Sequence, residues 1–471
     1  MDKFHEECAV VGVIGDEEAS KYCYLGLYAM QHRGQEGAGI VSSDGSNIFA
    51  HRDMGLVADV FDENILHDLK GSKAIGHTRY ATYGAKDWRN LQPLVANISS
   101  NSFAIAHNGN LINADEIRDE LEQKGAIFSA TSDTEVILHL IAQATHEKQI
   151  AKRLLFALQR IKGAYSLAVL THDCLFAVRD PAGVRPLSLG KLGNAYIVAS
   201  ETCAFDLLGA DFVRDIEPGE ILQIHADGTM HSEFISENSD KAFCVFEYVY
   251  FSRPDSQLAG KNVYSVRKRL GAELAKERPA EVDLVIPVPD SGVPAAIGYA
   301  QQLGLPLELG LIRNHYVGRT FIEPKQSIRD FGVRIKLNPN RGLFEGKRIA
   351  VVDDSIVRGT TCRKLVSVFR AAGAREVHFR VSSPPTISSC YYGIDTPSKD
   401  ELIASTHSVE QIREYIGADS LGYLSIDGMY RAVNDARSNH CDACFSGDYR
   451  IGTPAVCSVR STVITNKPKG C

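Results

Sequence analysis

The run Val351-Val352-Asp353-Asp354-Ser355-Ile356-Val357-Arg358-Gly359-Thr360-Thr361 combines residue types that can hold a phosphorylated sugar. An apolar strand ends in two acids, and a turn of small residues leads into a helix. The first N–H groups of a helix have no intrahelical partner, and they favour an anion such as phosphate. Thr360 and Thr361 add hydroxyl donors, and Gly359 lets the backbone come close. Asp353 and Asp354 offer hard oxygens suited to a ribose diol or to Mg²⁺. An isolated pair of acids at a strand end is more often solvated or an N-cap, so it is the complete run that is specific.

Cys8 could do a different chemistry. A lone cysteine is usually a small core residue, but a thiol is also the least inert side-chain nucleophile at neutral pH. As a first residue it would carry its own base, because a free α-amine has a pKa of about 7.7–8.0. Inside a peptide bond the Cys8 nitrogen is an amide and cannot do this. The chemistry therefore requires residues 1–7 to leave as a propeptide, by self-cleavage.

The run at 351–361 resembles the signature of type I phosphoribosyltransferases, which bind phosphoribosyl pyrophosphate (PRPP). The resemblance implies that the 5-phosphate sits on Ser355, Val357, Arg358, Gly359, Thr360 and Thr361, with Asp353 and Asp354 at the ribose and metal. A second strand end, Val288-Pro289-Asp290-Ser291-Gly292-Val293-Pro294, repeats the polar turn and helix start. In that family the corresponding loop faces the pyrophosphate, which makes Ser291 a Mg²⁺ contact. Residues 316–339 carry Arg319, Lys325, Arg329, Arg334 and Lys336. Beside the cradle they are expected to form a lid whose cations, Lys325 first, meet the leaving pyrophosphate and exclude water.

Four segments accompany Cys8: Gln31-His32-Arg33-Gly34, His77-Thr78-Arg79-Tyr80-Ala81-Thr82, His107-Asn108-Gly109-Asn110 and Thr131-Ser132-Asp133-Thr134-Glu135. In order and spacing the set resembles the N-terminal-nucleophile glutamine amidotransferases. The resemblance implies that the Asn108 amide and the Gly109 N–H form an oxyanion hole. It also implies that Arg79 pairs with the α-carboxylate of glutamine and that Asp133 accepts its α-ammonium.

Positioning these groups takes two kinds of fold. From Cys8 to about residue 236, short strands (GAGIVSS, KAIGHTRYA, FAIAHNGNL, SLAVLTH, CLFAVRD, AYIVAS) are interrupted by amphipathic helices. NADEIRDELEQKG and SDTEVILHLIAQ are two of these, with Asn113 and Ser132 as expected N-caps. This is an α+β pattern. Beyond a polar stretch, continuous apolar strands alternate with helices (VDLVIPVPD, GVPAAIGYAQQLG, LPLELGLI, KRIAVVDDS, TTCRKLVSVFRAAG, EVHFRVSSPP), which indicates a parallel α/β sheet covered on both faces. The two resemblances imply a four-layer αββα glutaminase followed by a type I phosphoribosyltransferase sheet. The expected divisions are a propeptide at 1–7, the glutaminase at 8–236, the phosphoribosyltransferase at 237–440 and a partly loose, cysteine-bearing tail at 441–471.

The 471 residues carry a net charge of −7 and show no basic stripe, so nucleic acid is not an expected partner. No apolar run reaches the roughly 18 residues a membrane span needs, and acids precede the first apolar run where a signal peptide carries base. A cytoplasmic enzyme is expected. Eleven cysteines, an odd count, argue for metal binding or catalysis over a disulfide framework. Cys441 and Cys444 form a C-x-x-C pair, and Cys244 and Cys390 complete a possible set of four thiolates. Spacing leaves zinc and iron–sulfur both open, and Cys457 or Cys471 could substitute. Cys23, Cys174, Cys203 and Cys362 sit in apolar contexts and read as core.

Together the halves resemble the glutamine PRPP amidotransferase family. This resemblance implies conversion of PRPP, glutamine and water to 5-phosphoribosylamine, pyrophosphate and glutamate, with ammonia crossing internally between two sites. It further implies one Mg²⁺ and one 4Fe–4S cluster per subunit, the latter on Cys244, Cys390, Cys441 and Cys444. A homotetramer inhibited by purine nucleotides such as AMP, GMP or ADP is also implied. Two other readings are a PRPP-sensing regulator without catalysis, against which the absence of a basic surface counts, and a glutaminase serving another acceptor, against which DDSIVRGTT counts.

Overall fold

The structure, a computed structural model, describes residues 8–80, 88–98, 101–236, 240–313 and 337–455. Strand Ala9–Ile14 is buried along its whole length. Val10 and Ile14 face one apolar cluster and Ala9, Val11 and Val13 another, the alternation that a strand covered on both sides requires. It is central in a seven-stranded antiparallel sheet, in the order Asp211–Asp215, Ser188–Leu192, Ala195–Ala199, Ala9–Ile14, Lys73–Arg79, Gly37–Ser43 and Ile48–Met54.

A second antiparallel sheet has six strands, in the order Met230–Phe234, Glu220–His225, Cys174–Arg179, Gly163–Thr171, Asn101–Leu111 and Leu94–Ile98. The two sheets face each other. Val10, Val41 and Ile75 of the first pack on Ala104, Ala106, Ala168 and Ala177 of the second. Helix Ala19–Ala29 covers the outside of the first sheet through Cys23 and Leu27. Helices Ala114–Gln123, Thr134–Gln143 and Ile150–Leu158 cover the outside of the second. The result is the expected αββα stack.

In the second half, strands Leu284–Pro287, Arg348–Asp353, Glu376–Val381 and Ser420–Tyr423 form a parallel sheet. Ala350 and Val352 face helices Val263–Glu277 and Val293–Leu303. Ile349 and Val351 face helices Thr360–Ala371 and Val409–Ile416. Both faces are covered, as the unbroken apolar runs predict.

Two local expectations change. LPLELGLI is not one strand: Leu307 makes only an isolated bridge with Val285, and Leu311–Arg313 pairs in a separate hairpin with Leu337–Pro339. It lies at the sheet edge, where Leu309 is exposed and no neighbour on the far side enforces pairing. The expected N-caps stand where predicted but are used differently. Ser132 Oγ accepts from the Thr134 N–H at 3.2 Å at the head of helix Thr134–Gln143, whereas Asn113 precedes helix Ala114–Gln123 without a side-chain cap. Asn113 instead bridges Arg160 O and the Lys162 N–H, and Asp133 turns toward the site described below.

One apolar core joins the halves. Ile112, Ala164, Ala182 and Val184 of the first pack with Phe243, Phe246, Tyr248 and Tyr392 of the second. Strand Phe243–Cys244 pairs in parallel with His440–Cys441, and helix Ala443–Ser446 buries Cys444 and Phe445 in the same core. Residues 441–446, the head of the expected tail, are thus part of the fold. Cys23, Cys174, Cys203 and Cys362 are buried in the other cores. Burial holds the Cys23 and Cys203 thiols well above their ordinary pKa, hence protonated and inert. Among the described residues, no helix is long and apolar enough to cross a membrane.

Candidate active sites

Cys8 stands at the start of the central strand, one residue before the Ala9–Thr78 pair, which sets it beside Arg79. Its thiol donates to Tyr80 O at 3.4 Å, and its carbonyl accepts from Arg33 Nε at 3.3 Å. Ser200 ties this strand to the second sheet. Its Oγ accepts from the Val10 N–H at 3.0 Å and from Asn108 Nδ2 at 3.4 Å. Asn108 is buried and, among the described residues, its Oδ1 has no partner, a costly state in a finished core but a useful one where a ligand completes it.

Gly109 has φ +149°, and a Cβ there would fall 2.0 Å from Ala164 O on the adjacent strand. Only glycine fits. The second half reaches the same backbone: a Cβ on Gly393 would come within 2.9 Å of Gly109, and Asn110 Nδ2 donates to Tyr391 O at 2.9 Å.

Arg79 is buried and donates to Asn90 O at 3.0 Å, while the Asn90 side chain exchanges two hydrogen bonds with Thr131. Asp133 Oδ2 accepts from the Leu111 N–H at 2.9 Å, and its Oδ1 lies 3.7 Å from His107 Nδ1. Burial works against ionising Asp133, but the His107 imidazole and the Leu111 and Thr134 amides outweigh it and lower its pKa. The group is a carboxylate at neutral pH, which suits an ammonium ligand. His77 is the opposite case. Burial and the Arg79 charge push it down to about 3, so it is a neutral buried ring whose Nε2–H donates to His107 O at 3.0 Å.

Behind Cys8 lies a buried charged group. Arg33 Nη1 donates to Glu201 Oε1 at 2.6 Å and to Glu247 Oε2 at 3.0 Å, and its Nη2 donates to Glu247 Oε1 at 2.8 Å. Arg185 Nη1 meets Glu247 Oε1 at 3.3 Å, and its other nitrogens donate to Tyr392 O. Burial resists the ionisation of Glu247, but the Arg33 and Arg185 guanidiniums overcome it and hold the carboxyl below its usual range. Uncovering one member of such a pair costs about 3–5 kcal/mol, because a buried charge is left alone.

The second site lies at the carboxyl ends of strands Leu284–Pro287 and Arg348–Asp353, where open parallel sheets bind ligands. Asp353 and Asp354 are each 1% exposed. Asp354 accepts from Ser291 Oγ at 2.5 Å and from Ser355 Oγ at 2.6 Å, so the two strand-end loops meet at this carboxylate. The resulting set of hard oxygens fits a divalent cation. Gly359 precedes helix Thr360–Ala371 with φ +74°, and a Cβ would press on Ile403 and Tyr415. The side chain of Arg358 is engaged with Glu401 at 2.9 Å, so this residue offers the cradle its backbone. Arg313 pairs with Asp290 at the rim. Arg319, Lys325, Arg329, Arg334 and Lys336 lie outside the described residues, as do residues 1–7, Cys457 and Cys471.

Cys244 and Cys441 are register partners on adjacent strands. Cys244, Cys441 and Cys390 all raise the pKa of Cys444 on top of its burial, and Cys441 is pushed up to about 12 chiefly by burial. The four thiols thus share one core, Cys244, Cys441 and Cys444 buried and Cys390 partly so, and are soft enough for iron–sulfur or zinc. Among the described residues, no group of three or more His, Cys, Asp or Glu side chains has metal-holding geometry, so they form a gathered set and not a preformed cage. Ser200, Glu201, Glu247, Arg185 and Gly393 had no signal in the sequence. Only Arg33 did, through its place in Gln31-His32-Arg33-Gly34.

Residues 77–206 match the glutamine amidotransferase domain family and residues 256–386 the phosphoribosyl transferase domain family. Over 450 residues the chain is 51% identical to the amidophosphoribosyltransferase of Bacillus subtilis, covering 94% of each protein. It is 52% identical over 452 residues to amidophosphoribosyltransferase 1, chloroplastic, of Arabidopsis thaliana, covering 96% of this chain and 80% of that one. The fold is similar to that of the B. subtilis glutamine PRPP amidotransferase complexed with ADP and GMP, with a TM-score of 0.89 at 50% identity over 94% of this chain and 97% of that one.

Proposed function

This chain belongs to the amidophosphoribosyltransferase family, and on that premise we propose how its own residues divide the reaction. The enzyme converts PRPP, glutamine and water to 5-phosphoribosylamine, pyrophosphate and glutamate, in purine biosynthesis. Residues 1–7 are removed, and the freed α-amine of Cys8 takes the proton from its own thiol. The thiolate attacks the side-chain amide of glutamine while Asn108 and Gly109 hold the oxyanion. Arg79 and Asp133 hold the α-carboxylate and α-ammonium. A γ-glutamyl thioester forms, ammonia leaves, and water releases glutamate.

Ammonia crosses inside the protein, because in bulk water at neutral pH it would be mostly protonated and no longer nucleophilic. The two halves share one apolar core, which supports transfer within the protein and not through solvent. At the second site, residues 355–361 hold the 5-phosphate, Asp353 and Asp354 orient the ribose, and Lys325 meets the pyrophosphate. Mg²⁺ on Asp353, Asp354 and Ser291 would neutralise the departing pyrophosphate. The observation that carries the reading is the Ser291–Asp354–Ser355 meeting point, which lies in the same chain and fold as Cys8. With PRPP and glutamine supplied together, pyrophosphate and glutamate should appear in equal amounts. Glutamate made in excess by another sugar phosphate, with PRPP inert, would favour a different acceptor.

Cys244, Cys390, Cys441 and Cys444 would hold a 4Fe–4S cluster, one per subunit, a reading supported by their sharing one core around Cys444. When bound, the cluster would crosslink the start of the second domain to the 441–446 segment, a structural task, since neither half-reaction moves electrons. Anaerobically purified protein should contain about four irons and four acid-labile sulfides per chain. One zinc and no sulfide would sink the assignment. The complex of the B. subtilis relative with ADP and GMP supports purine-nucleotide inhibition here as well. The working form is a cytoplasmic homotetramer, with domains at 8–236 and 237–440 and a cysteine-bearing tail at 441–471.

A further inference from the structure

Cys8 in its working form is a chain end. Once residue 7 is gone, no covalent bond restrains it on its N-terminal side, and chain ends fray unless tied down. Besides the contact of its thiol with Tyr80 O, Cys8 is tied by the hydrogen bond from Arg33 Nε to its carbonyl at 3.3 Å. Holding that carbonyl holds the Cys8–Ala9 peptide plane, and with it the position of the Cys8 Cα from which the α-nitrogen and Sγ project.

Arg33 can do this only if its guanidinium plane is itself held. Glu247 holds it with both carboxylate oxygens, taking Nη1 at 3.0 Å and Nη2 at 2.8 Å. This fork-to-fork pairing leaves Nε aimed at Cys8. Glu247 is fully buried and is braced by Ser252 Oγ at 2.5 Å and by Arg185 Nη1 at 3.3 Å. Arg267, also buried, anchors that segment by donating to Tyr248 O at 2.8 Å and to Ser252 O at 2.7 Å. Glu247 lies beyond residue 236, on the other side of the expected domain boundary.

We infer that Glu247 is a positioning residue for the glutaminase: through Arg33 it holds the Cys8 backbone in place, so the first site is completed by the second domain. This rests on Cys8 being the nucleophile. Glu247 touches neither the thiol nor the substrate positions assigned above, so its loss should slow the chemical step more than it weakens glutamine binding.

The test uses the full-length protein with Glu247→Gln, which keeps the shape but breaks the charged fork. The glutamine-dependent kcat should fall about 10- to 100-fold, as misorientation of a reacting group does. The KM for glutamine should move less than about threefold, and the ammonia-dependent rate should stay within about twofold. Glu247→Asp should recover part of the loss. A parallel fall of both nitrogen sources, or no fall in either, would overturn the inference. If Glu247→Gln does not fold, Arg33→Lys reads the same question, since it keeps the charge and loses the fork: a fall confined to glutamine kcat supports the inference, and any other pattern overturns it. A Cys8→Ala control separates the two claims. If it retains glutamine turnover the nucleophile assignment fails, whereas if it is inactive and Glu247→Gln is fully active only the positioning role fails.

Discussion

Cys8→Ala is expected to lose glutamine-dependent synthesis by on the order of 10³–10⁶-fold, the range seen when a nucleophile is removed from an enzyme. With ammonia supplied at alkaline pH, where it is unprotonated, the same variant should make phosphoribosylamine at close to the unaltered rate. Geometry accounts for the split. Cys8 is tied to Arg33, Tyr80 and, through Val10 of the same strand, to Ser200, whereas the residues proposed for PRPP meet at Asp354, beyond the end of a strand in a different sheet. A second readout comes from mass. The unaltered chain should begin at Cys8, and the variant, lacking the thiol for self-cleavage, should keep residues 1–7. Loss of both activities in a folded protein would mean that the two sites are not separable.

Asp354→Asn should act in the opposite sense. Asp354 takes one hydroxyl on each carboxylate oxygen, from Ser291 and Ser355. An amide can accept on one oxygen only and carries no charge for a cation. A loss of about 3 kcal/mol in transition-state stabilisation, roughly a hundredfold in rate, is expected with either nitrogen source. Labelling of Cys8 by an electrophilic glutamine analogue should continue. The substitution also removes one of two adjacent buried acids, so without ligands the variant should melt no lower than the unaltered protein. PRPP with Mg²⁺ should then raise its melting temperature less. An unchanged PRPP rate would remove Asp354 from the site.

Much of this site was legible because its signals are local. The acids, the small-residue turn and the two threonines of 351–361 adjoin in sequence, so a strand end followed by a helix start brings them together by itself. Strand alternation was equally legible, as Val10 and Val11 show by entering different cores. Ser132 caps as its residue type predicts, its Oγ accepting from the Thr134 N–H at 3.2 Å, but no local rule shows that the next residue, Asp133, gives its carboxylate to Leu111, 22 residues away.

By itself the sequence determined the chemistry available: a cysteine with its glutaminase set, a phosphate cradle behind two acids, and four thiols to spare. These follow from residue type and short spacing, which are properties of the chain before it folds. Only the tertiary structure decided what holds the nucleophile. Arg33 finds Glu201 across 168 residues and Glu247 across 214, and Gly393 closes on Gly109 from the other half. Such contacts leave no periodic trace, because a buried charge is stabilised by whichever opposite charge the fold delivers. Position in space, and not position in the chain, selects the partner.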